Sequence, residues 1–163
     1  MRAFQIFASL SNEQAVLFFE GVRKESPGMY AQILQAASAT LRSRPAYLKK
    51  QPADKRAAAM RRSLSRVNAD SLAEEILAVY FLEGRPEVLS EWLDTIGVRH
   101  EDGILQEDTP AQPEEGKLKD AVTRFRSAGD EWDRELLLQA FSSQSAVEWP
   151  ALEALLETQQ AVA

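Results

Sequence analysis

Four carboxylates, Glu74, Glu75, Glu91 and Asp94, have the residue type and the spacing of a metal-dependent site. The first two lie in one predicted helix, and the last two lie three residues apart in the predicted helix that follows it. Several carboxylate oxygens that converge on one point bind a hard cation such as Mg²⁺. These residues therefore suggest a site for a divalent cation.

The two acidic pairs look partly like the EExxE…ExxD pattern of all-α nucleotide pyrophosphohydrolases, in which acids on neighbouring helices hold Mg²⁺. The resemblance implies a divalent-metal-dependent nucleotide hydrolase. It covers two helices only, and Ala78 stands where the pattern has its third Glu. Glu87, Glu91 and Asp94 also fall on one side of a helical wheel, opposite the apolar residues, as on a solvated face. The hydrolase is therefore the less favoured alternative.

Other catalytic chemistries lack their residues in this sequence. There is no cysteine, which excludes disulfides, thiolate zinc sites and a cysteine nucleophile. The seven glycines are scattered singly, which excludes a glycine-rich phosphate loop. The one histidine, His100, lies in a polar turn, and Gly97 stands where a di-metal Glu-x-x-His motif has its Glu. We predict a non-catalytic protein with no metal ligand and no cofactor.

A basic block between Arg42 and Arg66 is the most informative feature of the sequence. It holds nine cations and one acid, a net charge of +8, whereas the remaining residues have −14 and the whole chain −6. Such a block on an acidic protein attracts partners of opposite charge. Arg56 and Arg61 flank the apolar stripe of a predicted helix. The other seven cations form a candidate binding surface, named here the basic surface: Arg42, Arg44, Lys49, Lys50, Lys55, Arg62 and Arg66.

Three interpretations of the basic surface are open from the sequence. It binds an acidic protein surface or a second copy of the chain, it tracks the phosphates of a nucleic acid, or it is a solvated helix face. Nucleic acid is not favoured, because the chain has a pI of about 4.9 and Tyr47 is the only aromatic residue of the block. We expect a protein-interaction module.

The hydrophobic pattern predicts an all-α fold, a multi-helix bundle of about eight helices. Ser11 and Gln14 predict a capping box, and Asp70 is predicted to cap its own helix. Pro45 is predicted to end one helix. A strongly amphipathic helix is predicted from about Pro52, with one apolar stripe formed by Ala53, Ala57, Met60, Leu64 and Val67.

One short β-hairpin is predicted near residues 98–106, because Asp102-Gly103 is a hairpin-turn dipeptide. Residues 106–116 are polar and contain proline, which is typical of a linker. We expect a single helical domain over residues 1–163, with a larger lobe at residues 1–105. A C-terminal helical lobe at residues 117–163 is too short to be stable alone and is predicted to pack back on the larger lobe.

No segment of the sequence has the length of a membrane span. The longest uninterrupted apolar run is Ile76–Leu82, seven residues, against the ~20 that a bilayer requires. Polar residues interrupt the apolar residues near the N-terminus, so no secretory signal is predicted. The lack of cysteine fits a reducing compartment, and we expect a cytoplasmic protein without a membrane partner.

Overall fold

A computed structural model describes residues 1–161 of the chain. These residues contain ten α-helices and one two-stranded antiparallel sheet, so the predicted all-α fold with a short hairpin is confirmed. They divide into two compact units, one of residues 2–84 and one of residue 1 with residues 85 onward. None of the helices in the described part of the chain is long and apolar enough to cross a membrane.

The first unit is built from six helices joined by short turns. Proline occupies the first position of the third and fourth helices. An N–H at this position has no partner within the helix, so proline, which lacks one, loses no hydrogen bond there. A 3₁₀ turn precedes the sixth helix and a π-helical segment follows it. The elements are α1 (Ala3–Ser9), α2 (Asn12–Glu25), α3 (Pro27–Thr40), α4 (Pro45–Lys49), α5 (Ala53–Leu64), the 3₁₀ turn (Val67–Ala69), α6 (Asp70–Val79) and the π segment (Tyr80–Gly84).

The core of the first unit contains an aromatic cluster on α1, α2 and the π segment. Phe7, Phe18 and Phe19 are fully buried, with ring centroids 5.2 to 6.0 Å apart. Tyr80 stacks on Phe18 with 4.5 Å between the ring centroids. A Cβ at Gly21 would lie 3.2 Å from the Tyr80 ring, so the missing side chain lets α2 approach the π segment closely.

The capping box is confirmed, and the role predicted for Asp70 is wrong. The backbone N–H of Ser11 donates to the Gln14 side chain at 3.0 Å, and the N–H of Gln14 donates to the Ser11 hydroxyl at 3.1 Å. The Asp70 carboxylate instead accepts the N–H of Phe4 at 3.1 Å and a guanidinium N–H of Arg2 at 2.7 Å. Asp70 therefore caps α1, which lies far away in the sequence, and not the helix that it begins.

The α4 helix is a second correction. Pro45 was predicted to end a helix, but α3 already ends at Thr40 and Pro45 occupies the first position of α4. The fixed φ angle of proline suits a helix start, whereas its missing N–H and its clash with the preceding residue end a helix, so the pattern alone does not separate the two. The additional helix is one reason why the described residues contain ten α-helices rather than about eight.

The second unit packs four helices and the hairpin around a buried tryptophan. The Trp92 side chain is fully buried, and its ring lies 5.2 Å from that of Phe125 and 5.8 Å from that of Phe141. Aromatic pairs at these distances add about 0.5–1.5 kcal/mol each to the burial of their surfaces. The elements are α7 (Pro86–Ile96), β1 (His100–Glu101), β2 (Ile104–Leu105), α8 (Glu115–Ser127), α9 (Asp133–Ser143) and α10 (Pro150–Gln160).

The predicted linker, residues 106–116, lies within the second unit and is held there by hydrogen bonds. The indole N–H of the buried Trp149 donates to the carbonyl of Pro110 at 2.7 Å. The N–H of Ala151, at the start of α10, donates to the Gln112 side chain at 3.0 Å. The expectation of a single domain stays a prediction.

Candidate binding surface

All seven cations of the basic surface are exposed. They follow the chain from the turn after α3, through α4 and α5, to the residues just after α5. Their order is Arg42 and Arg44 in the α3–α4 turn, Lys49 and Lys50 at the end of α4, Lys55 in the first turn of α5, Arg62 in its last turn, and Arg66 beyond it.

Two hydrogen bonds show how α3 and α5 are arranged. Near the start of both helices, Arg56 Nε donates to the Tyr30 hydroxyl at 2.9 Å. At their ends, the hydroxyls of Thr40 and Ser63 lie 3.3 Å apart. The two helices therefore run side by side in the same direction. The cations of the α3–α4 turn consequently lie at the same end of the first unit as those that end α5.

One face of α5 is apolar and buried, and the opposite face is cationic and exposed. Met60 and Leu64 are buried, and α5 packs against α1, α2 and α3. Lys55 and Arg62, seven residues apart, differ by only about 20° around the helix axis and by about 10 Å along it. The small residue Ala58 lies between them on the exposed face. The two cations therefore form a row on this face of the helix.

Ion pairing separates the basic block from the rest of the described chain. Of the nine cations in residues 42–66, only Arg56 has a carboxylate oxygen within 4.0 Å in residues 1–161. Of the ten cations elsewhere, seven have one within that distance. The basic surface is thus a concentration of charges that form no ion pair within 4.0 Å among the described residues.

Arg56 and Arg61 differ from the seven, because they bind the fold itself. Arg56 donates to a Glu20 carboxylate oxygen at 2.8 Å, and Arg61 donates to the carbonyl of Leu10 at 2.6 Å. Burial disfavours the charge of Arg56, but the hydrogen bonds to Glu20 and Tyr30 outweigh it and raise the pKa of the guanidinium. These two arginines tie α5 to α2 and to the end of α1.

Exposed apolar side chains lie among the cations. Leu41 precedes Arg42 and is 41% exposed, and Tyr47, in α4, is 62% exposed. Val67, which was predicted to lie on the buried stripe of α5, is 64% exposed, because the helix ends at Leu64 and the chain turns. Three of the six exposed large apolar residues in the described chain therefore border the basic surface; the six are Leu17, Leu41, Tyr47, Val67, Leu82 and Ile104.

Arg42 is held in a backbone conformation that favours glycine. Its φ angle is +52°, and it ends α3 in a Schellman motif, with N–H bonds from Arg42 to Ala39 at 3.2 Å and from Ser43 to Ser38 at 2.9 Å. The left-handed region costs an L-residue about 1–2 kcal/mol. The helix α7 ends in the same motif, but there the position is Gly97, with φ +71°. A cation therefore occupies a position where glycine would be more stable.

Glu91, one of the acidic residues considered for a metal site, is bound by Arg134. Two Arg134 nitrogens donate to the two Glu91 carboxylate oxygens at 3.1 and 2.8 Å. The Arg134 side chain, 7% exposed, also donates to Glu131 at 2.6 Å and to the Phe125 carbonyl at 3.1 Å. Its hydrogen bonds to Glu91 and then Glu131 raise the pKa of Arg134, and its hydrogen bond to Glu131 lowers the pKa of that carboxyl. This cluster fixes α7, α8 and α9 to one another.

His100 connects the hairpin to α7. Its Nδ1 accepts the N–H of Gly103 at 3.1 Å, and its Nε2 lies 2.6 Å from an Asp94 carboxylate oxygen. Since Nδ1 is an acceptor, the ring proton is on Nε2 and is donated to Asp94. Both ring nitrogens are therefore used inside the second unit. In residues 1–161, no group of three or more histidine or acidic side chains is arranged to hold a metal ion.

Comparison with known proteins adds no relative: no family model, no curated protein and no solved structure matches the chain. A functional assignment therefore rests on the residues and the geometry described above.

Proposed function

We propose that the protein is a non-catalytic interaction module that binds an acidic protein surface through the basic surface. The observation that carries this proposal is the set of seven exposed cations that have no carboxylate oxygen within 4.0 Å in residues 1–161. Fixed charges of one sign that stay unpaired attract a partner of the opposite sign and speed its encounter.

The exposed apolar residues support a protein partner rather than a nucleic acid. Arginine and aromatic side chains are enriched at the centres of protein interfaces, and they contribute most to the binding energy there. Tyr47 provides an aromatic anchor of this kind beside the cations, and Leu41 and Val67 add exposed apolar surface next to it. Phosphate backbones need the cations alone. The second unit, with seven cations and 17 acids, has a net charge of −10 and would be repelled by a polyphosphate.

The conformation of Arg42 also supports a function for this surface. Strained backbone conformations are found preferentially at functional sites, where the strained residue does something that an unstrained one would not. A glycine at this position would relieve the strain and remove one cation from the surface. The chain keeps the cation instead, as expected if the charge is used for binding.

Fluorescence anisotropy with two labelled peptides tests the proposal. One peptide is polyglutamate, and the other alternates glutamate with leucine. We expect both to bind at low salt, the alternating peptide more tightly because its leucines reach the apolar residues. Between roughly 50 and 200 mM salt we expect both affinities to fall, because added salt shortens the distance over which the charges attract each other.

A matched pair of charge reversals locates the binding. Lys55→Glu with Arg62→Glu changes the basic surface, and Lys119→Glu with Arg124→Glu makes the same change at exposed cations of α8. We expect the first pair to weaken peptide binding roughly tenfold and the second pair to change it much less. Equal effects would contradict the proposal. Tight binding of DNA with no peptide binding would replace the protein partner by a nucleic acid.

A further inference from the structure

A second charged surface lies in the second unit, at residues 101–108, named here the acidic loop. It includes the hairpin turn, where Asp102 and Gly103 have φ angles of +51° and +88°, as in a type I′ turn. The hairpin pairs Glu101 with Ile104 and is fixed to α7 through His100. The acidic loop is therefore held by hydrogen bonds at its hairpin end.

The side chains of the acidic loop have a definite composition. Four acids, Glu101, Asp102, Glu107 and Asp108, are exposed, and none has a cation within 4.0 Å in the described chain. Ile104, opposite Glu101 in the hairpin, is 62% exposed. Acids around one exposed apolar residue are the complement of cations around exposed apolar residues.

The net charges of the two units show the same complementarity. The first unit has twelve cations and eight acids, a net charge of +4, and the second has −10, which together give the −6 of the chain. One molecule thus carries both a surface and its electrostatic complement, and each copy offers both to a neighbour. Opposite patches of this kind favour association between identical chains.

On the basis of the proposed function, we infer that the partner of the basic surface is a second copy of this chain, which binds through its acidic loop. Carboxylates of the loop pair with cations of the surface, and Ile104 packs against the apolar group of Leu41, Tyr47 and Val67. A contact made by one loop is smaller than the standard interface of about 1,200–2,000 Å². The association is therefore weak, reversible and sensitive to salt.

Static light scattering over a concentration series tests this inference on the full chain. At low salt we expect the apparent mass to rise with concentration above the 18.2 kDa of one chain. At high salt we expect it to return to that value, because the pairs are exposed and screened. A mass that stays at one chain at every concentration and salt level would overturn the inference.

Two charge-reversed variants identify the surfaces. The basic-surface variant carries Lys50→Glu, Lys55→Glu and Arg62→Glu, and the acidic-loop variant carries Glu101→Lys, Glu107→Lys and Asp108→Lys. We expect each variant alone to associate roughly tenfold more weakly than the wild type. An equimolar mixture should associate again, because each variant then meets a surface of opposite charge. Failure of the mixture to associate, with both variants folded by circular dichroism, would refute the pairing.

Ile104→Ser provides a variant without a change of charge. We expect it to weaken self-association, while the dependence on salt persists. If the association were a non-specific attraction between charges, Ile104→Ser would leave its strength unchanged. The peptide titration separates this inference from the proposed function. If the chain binds the peptides but stays monomeric, the inference of a second copy is overturned and the proposal of an acidic protein partner is kept. Absence of both peptide binding and self-association would overturn both.

Discussion

Replacement of Arg42 by glycine should make the protein more stable and a weaker binder. Arg42 has a φ angle of +52° at the end of α3, and its side chain is exposed, without a carboxylate within 4.0 Å in residues 1–161. The substitution relieves the backbone strain and removes one positive charge. Stability and binding should therefore change in opposite directions.

The expected magnitude follows from two opposing terms. Relief of the left-handed conformation gains about 1–2 kcal/mol. The greater freedom of glycine in the unfolded chain costs about 0.4–1 kcal/mol. The free energy of unfolding should thus rise by about 1 kcal/mol, which corresponds to an increase in Tm of about 2–4 °C for a chain of this size. Loss of one exposed charge should weaken binding of the acidic peptide by up to about fivefold.

Urea denaturation and the anisotropy titration measure the two effects on the same preparation. Arg42→Ala is the matched control, because it removes the charge but keeps a Cβ at a positive φ angle. It should bind as weakly as Arg42→Gly without the gain in stability. Gly97→Ala, at the same position of the motif that ends α7, should lower stability by about 1 kcal/mol; its new Cβ would lie more than 4 Å from the described residues beyond its own chain neighbourhood. An Arg42→Gly chain no more stable than Arg42→Ala would refute the reasoning.

Three further predictions concern ion pairs inside the units. Arg134→Met should lower the free energy of unfolding by about 2 kcal/mol in chemical denaturation, because the buried carbonyl of Phe125 and the carboxylate of Glu91 lose their donor. The pKa of Glu131 lies below its ordinary value of 4.5. The ionised carboxylate therefore contributes fully to the free energy of unfolding above that pH, and this contribution is lost as the pH falls through the lower pKa of the folded state. Wild type should therefore lose more stability on acidification than Glu131→Gln. Asp70→Ala should destabilise by about 1 kcal/mol and speed hydrogen exchange in α1, because the N–H of Phe4 loses its acceptor.

Each of these three has a distinct contrary result. An Arg134→Met chain as stable as wild type would mean that the hydrogen bonds of Arg134 contribute nothing beyond a well-packed apolar side chain. If the stability of wild type and of Glu131→Gln fell equally on acidification, the Glu131 carboxyl would not be the group that causes the loss. Faster hydrogen exchange in α6 rather than in α1 after Asp70→Ala would show that Asp70 caps the helix that it begins.

Local patterns in the sequence predicted the parts of the fold that depend on neighbouring residues. The capping box needs only Ser11 and Gln14, three positions apart, and the hairpin turn needs only Asp102-Gly103. The apolar and cationic faces of α5 likewise follow from helical periodicity. These elements were correctly predicted because their causes lie within one or two turns of chain.

The features that the sequence did not predict depend on contacts between distant segments. Asp70 reads as the cap of the helix that it begins, but its carboxylate binds the N–H of Phe4, 66 positions away. Arg56 and Glu20 are 36 positions apart, so their pairing has no local signal. The sequence also cannot show which of the other cations lack an ion pair, because this depends on where every carboxylate in the described chain lies. The function of the basic surface stays a proposal.

A titration of ¹⁵N-labelled protein with the glutamate–leucine peptide tests the central claim most directly. Amide chemical shifts report where the peptide lies, residue by residue. The proposal predicts changes concentrated in residues 41–67, lost in the Lys55→Glu, Arg62→Glu chain and retained in the Lys119→Glu, Arg124→Glu chain. Changes concentrated in residues 85–161, or no changes at low salt, would contradict it.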